Sequence, residues 1–133
     1  MTDPIADFLT RIRNGIHASH TTVDIPASGL KKEMARILTE QGYIQSFEVE
    51  APTPDHPGEI LRITLKYTDD RRSAISGLRR VSRPGQRSYA GKDGVRKVQG
   101  GMGTSIVSTS HGVMTGHQAR EQGVGGEVVA EVW

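Results

Sequence analysis

The apolar residues of this chain change their period, and that change restricts the fold more than any other feature. Ile5, Phe8, Leu9, Ile12 and Ile16 recur at helical spacing, whereas Leu61, Ile63, Leu65 and Tyr67 alternate with Arg62, Thr64 and Lys66. A helix gathers residues three and four apart on one face, and a strand gathers every second residue. A chain with both patterns must lay helices on a sheet. Asp3 can cap the first helix and Pro4 suits its first position. The opposite face, with Arg11 and Arg13, is wet or touches a partner. Thr22 to Ile25 reads as a short strand closed by Pro26. Ser28 then caps a second helix with Leu30, Met34, Ile37 and Leu38 on one stripe, Lys31, Lys32 and Arg36 near its start or on its polar side, and Gly42 as its stop. Tyr43 to Glu50 and Ile60 to Tyr67 are strand-like, separated by a loop holding Pro52, Pro54, Pro57 and Gly58.

Residues 1–70 therefore read as an α-β-α-β-β lobe with helices on one side of a sheet. Asp69-Asp70 marks its end, and residues 71–133 form a second lobe. Ala74 to Ser82 is a strand or a short helix, the strand being favoured. Pro84-Gly85 is a turn, Arg87 to Tyr89 a strand, and Ala90 to Gly101 a glycine-rich connection. Ser105 to Ser108 reads as a strand, Thr115 to Gln122 as a short helix, and Glu127 to Trp133 as a final strand. That strand places Val128, Ala130 and Val132 opposite Glu127, Val129 and Glu131. The expected class is α+β, in two small lobes, the C-terminal one mostly antiparallel β with one short helix.

Charge is polarised along this frame. Nine of the seventeen Lys and Arg residues lie between Arg71 and Lys97, beside a single acid, Asp93. Residues 1–70 carry a net −4, residues 71–97 +8 and residues 98–133 −2, which together make the net +2. Seven of the nine are Arg, whose planar fork suits phosphate oxygens and stacks on bases. The band points to nucleic acid before membrane, the plain alternative being a solvated, salt-bridged surface. With 35% apolar residues and 5% aromatics the core is aliphatic and small, so a partner that covers surface would help. The absence of cysteine excludes disulfides and thiolate metal sites. No apolar run approaches a membrane span, and Met1 to Pro4 lacks the features of a secretory signal. A soluble, cytoplasmic protein is expected.

Two segments could carry chemistry. Ser108-Thr109-Ser110-His111-Gly112 sets three hydroxyls at a strand end, where hydroxyls and backbone amides can reach phosphate, ribose and base edges; its plain alternative is one of the common Ser/Thr-rich loops that do nothing specific. Gly123-Val124-Gly125-Gly126-Glu127 permits close backbone approach and ends on a carboxylate that can orient Arg or Lys, or accept from a base amino group. Its plain alternative is a tight turn that needs glycine. Tyr89 is the aromatic placed to stack on a base, the plain alternative being a half-buried tyrosine in a small sheet. Gly100-Gly101-Met102-Gly103 lacks the spacing of a nucleotide fingerprint, and no hydrolase elbow occurs. His111 and His117 are spaced unlike a zinc site. Ser110 and His111 as nucleophile and base would be adjacent in a strand and point apart. Neither an enzyme nor a cofactor, metal or small-molecule substrate is expected.

Together these segments resemble the bacterial small-subunit ribosomal protein eight family. Asp3-Pro4-Ile5-Ala6-Asp7 and Leu9-Thr10-Arg11-Ile12-Arg13-Asn14 are similar to its opening helix. Leu65-Lys66-Tyr67, Arg80-Val81-Ser82-Arg83-Pro84-Gly85, Ile106 to Ser110, Gly112 to Thr115 and Gly123 to Val128 continue the resemblance nearly end to end. It implies a structural protein of the cytoplasmic small ribosomal subunit that binds the central domain of small-subunit (16S) rRNA, helps nucleate its assembly and touches neighbouring ribosomal proteins. The implied RNA-binding residues are Ser108, Thr109, Ser110, Tyr89, Gly126 and Glu127, with Lys31 adding a backbone contact from the N-terminal lobe. Arg83 and Arg87 join them from the basic band, and His111 from the hydroxyl loop. A free-standing RNA-binding translational regulator is the alternative. The chain departs from the family at His111, where Lys is frequent; at Gly116, which leaves Thr115 to cap the short helix alone; at Thr104-Ser105, which replaces an apolar pair and should loosen the strand; and at Ala90-Gly91, which replaces a basic pair.

Overall fold

The computed structural model describes residues 2–91 and 97–133. These form two compact units: Asp7–Ile75, and Ser76–Trp133 together with the described residues up to Ala6. The class is α+β.

Helix α1 runs Pro4–His17. Asp3 starts it, its carboxylate oxygen accepting from the Ile5 and Ala6 amides at 3.2 Å each. Ile5, Phe8, Leu9 and Ile12 are buried, as their spacing requires. Strand β1 is Thr22–Pro26 and helix α2 is Gly29–Glu40. The Ser28 hydroxyl accepts from the Lys31 amide at 3.2 Å. Gly42 ends α2 in the left-handed region at φ 81°, as expected of a helix stop. The buried stripe of α2 is Lys31, Met34, Ala35, Ile37 and Leu38. Leu30, expected on that stripe, is half-exposed, because burial shifts one residue onward to the aliphatic stem of Lys31.

Strands β2 (Ile44–Glu50) and β3 (Ile60–Leu65) complete a three-stranded antiparallel sheet of order β1-β3-β2. Leu61, Ile63 and Leu65 face the core with Phe8, Ile12, Met34, Ile37 and Leu38. The other face carries Arg62, aligned with Asp24 on β1 and Glu48 on β2. Its guanidinium lies 2.8 Å from Asp24 and 2.8 Å from Glu50. The Asp24 hydrogen bond and charge, then the Glu50 charge, hold Arg62 above its usual range. Tyr67 falls past the strand end, where it donates to the His20 carbonyl at 2.7 Å. Burial pushes that phenol up.

The second unit holds strands β4 (Leu78–Arg80) and β5 (Tyr89–Ala90), a single 3₁₀ turn (Val98–Gly101), strands β6 (Thr104–Thr109) and β7 (Gly112–Thr115), helix α3 (Gly116–Gln122) and strand β8 (Gly126–Val132). The order is β4-β8-β6-β7, with β5 also paired to β8. Ala74 to Ser82 contributes strand over three residues, and the strand expected at Arg87 begins at Tyr89. Strand β7 is an element that the turn-like Gly112-Val113 conceals in the sequence. Thr115 does not cap α3 alone: its hydroxyl accepts from the Gln118 amide at 3.1 Å, and the Gln118 side chain accepts from the Thr115 amide at 3.0 Å. Thr104 and Ser105 lie within β6, with Ser105 buried opposite Glu131.

The expected alternation of β8 is not observed. Ile106 pairs with Ala130 but Val107 pairs with Val128, so Val129 is an extra residue on β8. A bulge of this kind reverses which side chains share a face. Val128 through Val132 are all buried, including Glu131 at 3% exposure with Arg79 3.5 Å away. The strand is covered on both faces, and that removes the polar-apolar signal.

Candidate nucleic-acid interface

The bulge at Val129 determines what stands across from Ser108. Without it, Ser108 would align with Val128. With it, Ser108 aligns with Glu127, and Thr109 with Gly126. On the far side of β8, Tyr89 aligns with Glu127 and Ala90 with Gly126. Directly opposite residues of an antiparallel ladder point to the same face. Tyr89, Glu127 and Ser108 therefore form one row across three strands. Tyr89 is 71% exposed, an unusual state for an aromatic in a small sheet.

Glycine makes this row possible. A Cβ on Gly126 would lie 2.2 Å from the Ser108 carbonyl oxygen, and one on Gly125 would lie 2.4 Å from the Ala90 carbonyl oxygen. Neither distance is tolerable, so the Gly125-Gly126 pair lets β8 enter between β5 and β6. Gly123, at φ 67°, ends α3 just before it. The tight-turn reading of this segment holds for Gly123, while Gly125 and Gly126 serve close strand approach.

The hydroxyl triplet divides its work. Ser108 stands in β6 within the row. Thr109 lies at the end of β6, where its hydroxyl donates to the Gly112 carbonyl at 2.8 Å and accepts from the His111 amide at 3.0 Å. Both bonds are spent fixing the turn. Ser110 and His111 are its two exposed central residues, and Gly112 closes it at φ 111°. The turn thus lies directly beyond the row.

Glu127 is held from one side. Its Oε2 atom accepts from the Ser82 hydroxyl at 2.6 Å and lies 3.0 Å from the Arg87 guanidinium. Ser82 was not apparent as part of this site from sequence. The signal available was a serine between the apolar Val81 and the Arg83-Pro84-Gly85 turn, a pattern too common to select it.

The basic band is less open than its charge suggests. Arg80 lies 3.0 Å from Asp3 and donates to the Val129 carbonyl at 2.7 Å, its side chain nearly buried. Arg79 pairs with Glu131, Arg87 with Glu127 and Arg72 with Asp70. Arg83 and Lys97 are exposed. Lys92, Asp93 and Arg96 lie outside the described residues. Lys31 belongs to the other unit, its ammonium donating to the Pro26 carbonyl at 3.0 Å, with 5% of the residue exposed. Burial lowers its pKa, a like charge on Arg11 adds to this, and Asp7 opposes it.

Among the described residues no cluster of His, Asp and Glu could hold a metal ion, and no helix is long and apolar enough to cross a membrane. What the row and turn offer is a tyrosine face, a carboxylate, hydroxyls and backbone amides on one sheet edge. These are groups that can stack on a base and donate to or accept from a polar surface.

A family model described as ribosomal protein S8 matches residues 3–133. The small ribosomal subunit protein uS8 of Acidobacterium capsulatum is 56% identical over 133 residues, covering 100% of this chain and 98% of that protein. The protein of the same name from Acetivibrio thermocellus is 54% identical over 132 residues, covering 99% and 98%. That from Nocardioides sp. is 52% identical over 133 residues, covering 100% and 98%.

Proposed function

This chain belongs to the ribosomal protein S8 family, and we propose that it serves as a structural constituent of the small ribosomal subunit by binding the central domain of small-subunit (16S) rRNA and helping to nucleate its assembly. The observation that carries the reading is the row of Tyr89, Glu127 and Ser108 beside the exposed Ser110-His111 turn. Tyr89 supplies a π-face on which an unstacked base rests. Glu127 accepts from an amino group or a ribose hydroxyl, and Ser108 and Ser110 add hydroxyls of either polarity. Gly126 admits RNA backbone close to the sheet, and Thr109 acts by fixing the turn. Arg83, and Arg87 beyond its bond to Glu127, supply salt-dependent attraction to phosphate. His111 adds ring nitrogens at the exposed turn that can hydrogen-bond to RNA. Lys31 contributes a backbone contact through the donors its ammonium keeps beyond the one on the Pro26 carbonyl.

The mechanism is placement rather than catalysis, and neighbouring small-subunit proteins are further partners. A footprint of the purified protein on full-length small-subunit rRNA tests the reading. Protection confined to one irregular helical element of the central domain is expected, and it should vanish for Glu127→Ala. Protection spread evenly along the rRNA would overturn it.

A further inference from the structure

Ser82 is 0% exposed, and its hydroxyl bonds in two directions. It donates to Glu127 Oε2 at 2.6 Å and accepts from the Ser88 amide at 3.0 Å. Two backbone bonds close the circuit. The Val128 amide donates to the Ser88 carbonyl at 2.9 Å, and the Ser82 amide donates to the Val128 carbonyl at 2.9 Å. Ser82, Ser88 and Val128 are thus joined in one ring of hydrogen bonds, from which the Ser82 hydroxyl also reaches Glu127. The ring touches the two neighbours of the reading row: Ser88 precedes Tyr89, and Val128 follows Glu127.

A serine hydroxyl has one proton, and here it is committed to the carboxylate. With Ser82 and Arg87 both on Oε2, the carboxylate plane has one orientation, and Oε1 points in a direction that the protein sets in advance. A buried hydroxyl in a low-dielectric setting holds such a bond firmly. Arg87 alone, exposed and flexible, would not fix the plane. A serine that merely pinned the five-residue loop between Ser82 and Ser88 would need the bond to Ser88 but not the one to Glu127.

We infer that Ser82 is a positioning residue for RNA recognition, aiming the Glu127 carboxylate and tying it to the segment that carries Tyr89. The inference rests on the reading of the row as an RNA-binding face. It makes Ser82 a determinant of specificity without contact to RNA. Preorganised acceptors lose less freedom on binding, and the benefit is confined to an RNA that uses Oε1.

The test measures affinity of the full chain and its variants for a transcript of full-length small-subunit rRNA and for an unrelated RNA duplex, with thermal melts as folding controls. Ser82→Ala should weaken transcript binding about five- to 50-fold while changing duplex binding by less than about twofold. In a Glu127→Ala background the same substitution should add less than about twofold, because its effect runs through the carboxylate. An equal loss in both backgrounds would assign Ser82 a structural role and overturn the inference. Should Ser82→Ala not fold, Ser82→Cys keeps a side chain of similar shape with a weaker donor, and full transcript affinity in that variant overturns the inference. If Glu127→Ala itself binds the transcript normally, the reading of the row fails and Ser82 fails with it. If Glu127→Ala weakens binding but Ser82→Ala does not, the row stands and the role of Ser82 alone is lost.

Discussion

Ser110 and Arg83 are both exposed polar residues near the row, yet they should behave differently. A hydroxyl docked on RNA reads a particular group, whereas a guanidinium at a phosphate reads only charge. Ser110→Ala should cost about 1–3 kcal/mol, the penalty of an unpaired polar partner, against small-subunit rRNA alone. Arg83→Ala should weaken small-subunit rRNA and an unrelated duplex alike. Competition binding on both RNAs checks the pair, and equal losses for Ser110→Ala would remove it from the reading face. At this scale the sequence was legible where a residue's chemistry is its own, as with the exposed hydroxyl of Ser110 in the turn, whereas Tyr89 could equally have been half-buried until the structure showed it exposed. The sequence was silent where chemistry depends on a distant partner. Nothing near Ser82 or Glu127 announces a bond across 45 positions. Lys31 reads as a free cation beside Lys32, and its burial shows only once Pro26 is seen to meet it.

Strands and helices were legible in proportion to how one-sided their surroundings are. β3 has a core face and an open face, so its residues alternate in burial and the pattern identifies it. β8 is covered on both faces, and its bulge at Val129 reverses the alternation at the point where the site begins. No periodic pattern in seven residues could place that extra residue. β7 was lost for another reason: glycine and valine after a turn look like more turn. The bulge and the Gly125-Gly126 entry together set the register of the row, and Gly126→Ala tests this. Its Cβ would press on the Ser108 carbonyl, a backbone group with no rotamer by which to give way. Strain of that kind costs about 1–3 kcal/mol. Chemical denaturation should show the loss, and binding should fall further than stability predicts because β6 must move away from Glu127. Unchanged stability and binding would show that the strands can separate freely here.

For the whole chain, the pair of Asp3 and Arg80 joins residues 77 positions apart within one unit. Burial favours protonation of Asp3, but the Arg80 hydrogen bond, the Ala6 amide, the Arg80 charge and the Ile5 amide together outweigh it and leave the pKa below its usual 3.8. A carboxylate depressed in the folded state contributes stability that is complete above its unfolded value and lost as pH falls through the folded one. Asp3→Asn should therefore cost about 1.5–3 kcal/mol at pH 7, and the difference from the unaltered chain should shrink below about pH 4. Urea midpoints from pH 7 to pH 3 would show it, and a constant difference would contradict it. Binding to RNA should depend on salt with a log-log slope of about −2 to −5, as for three to five neutralised phosphates. The internal partners of Arg72, Arg79, Arg80 and Arg87 favour the shallow end, and a flat response would leave the band a solvated surface. The topology also has a meaning in time. β8 bonds to β4, β5 and β6, and it follows all three in the chain. During synthesis those strands emerge with their shared neighbour still unmade, whereas β1, β2 and β3 can close as soon as Leu65 is out. The nascent protein thus carries a finished first unit and an idle set of edges, and the row of Tyr89, Glu127 and Ser108 can be assembled only once β8 has been made.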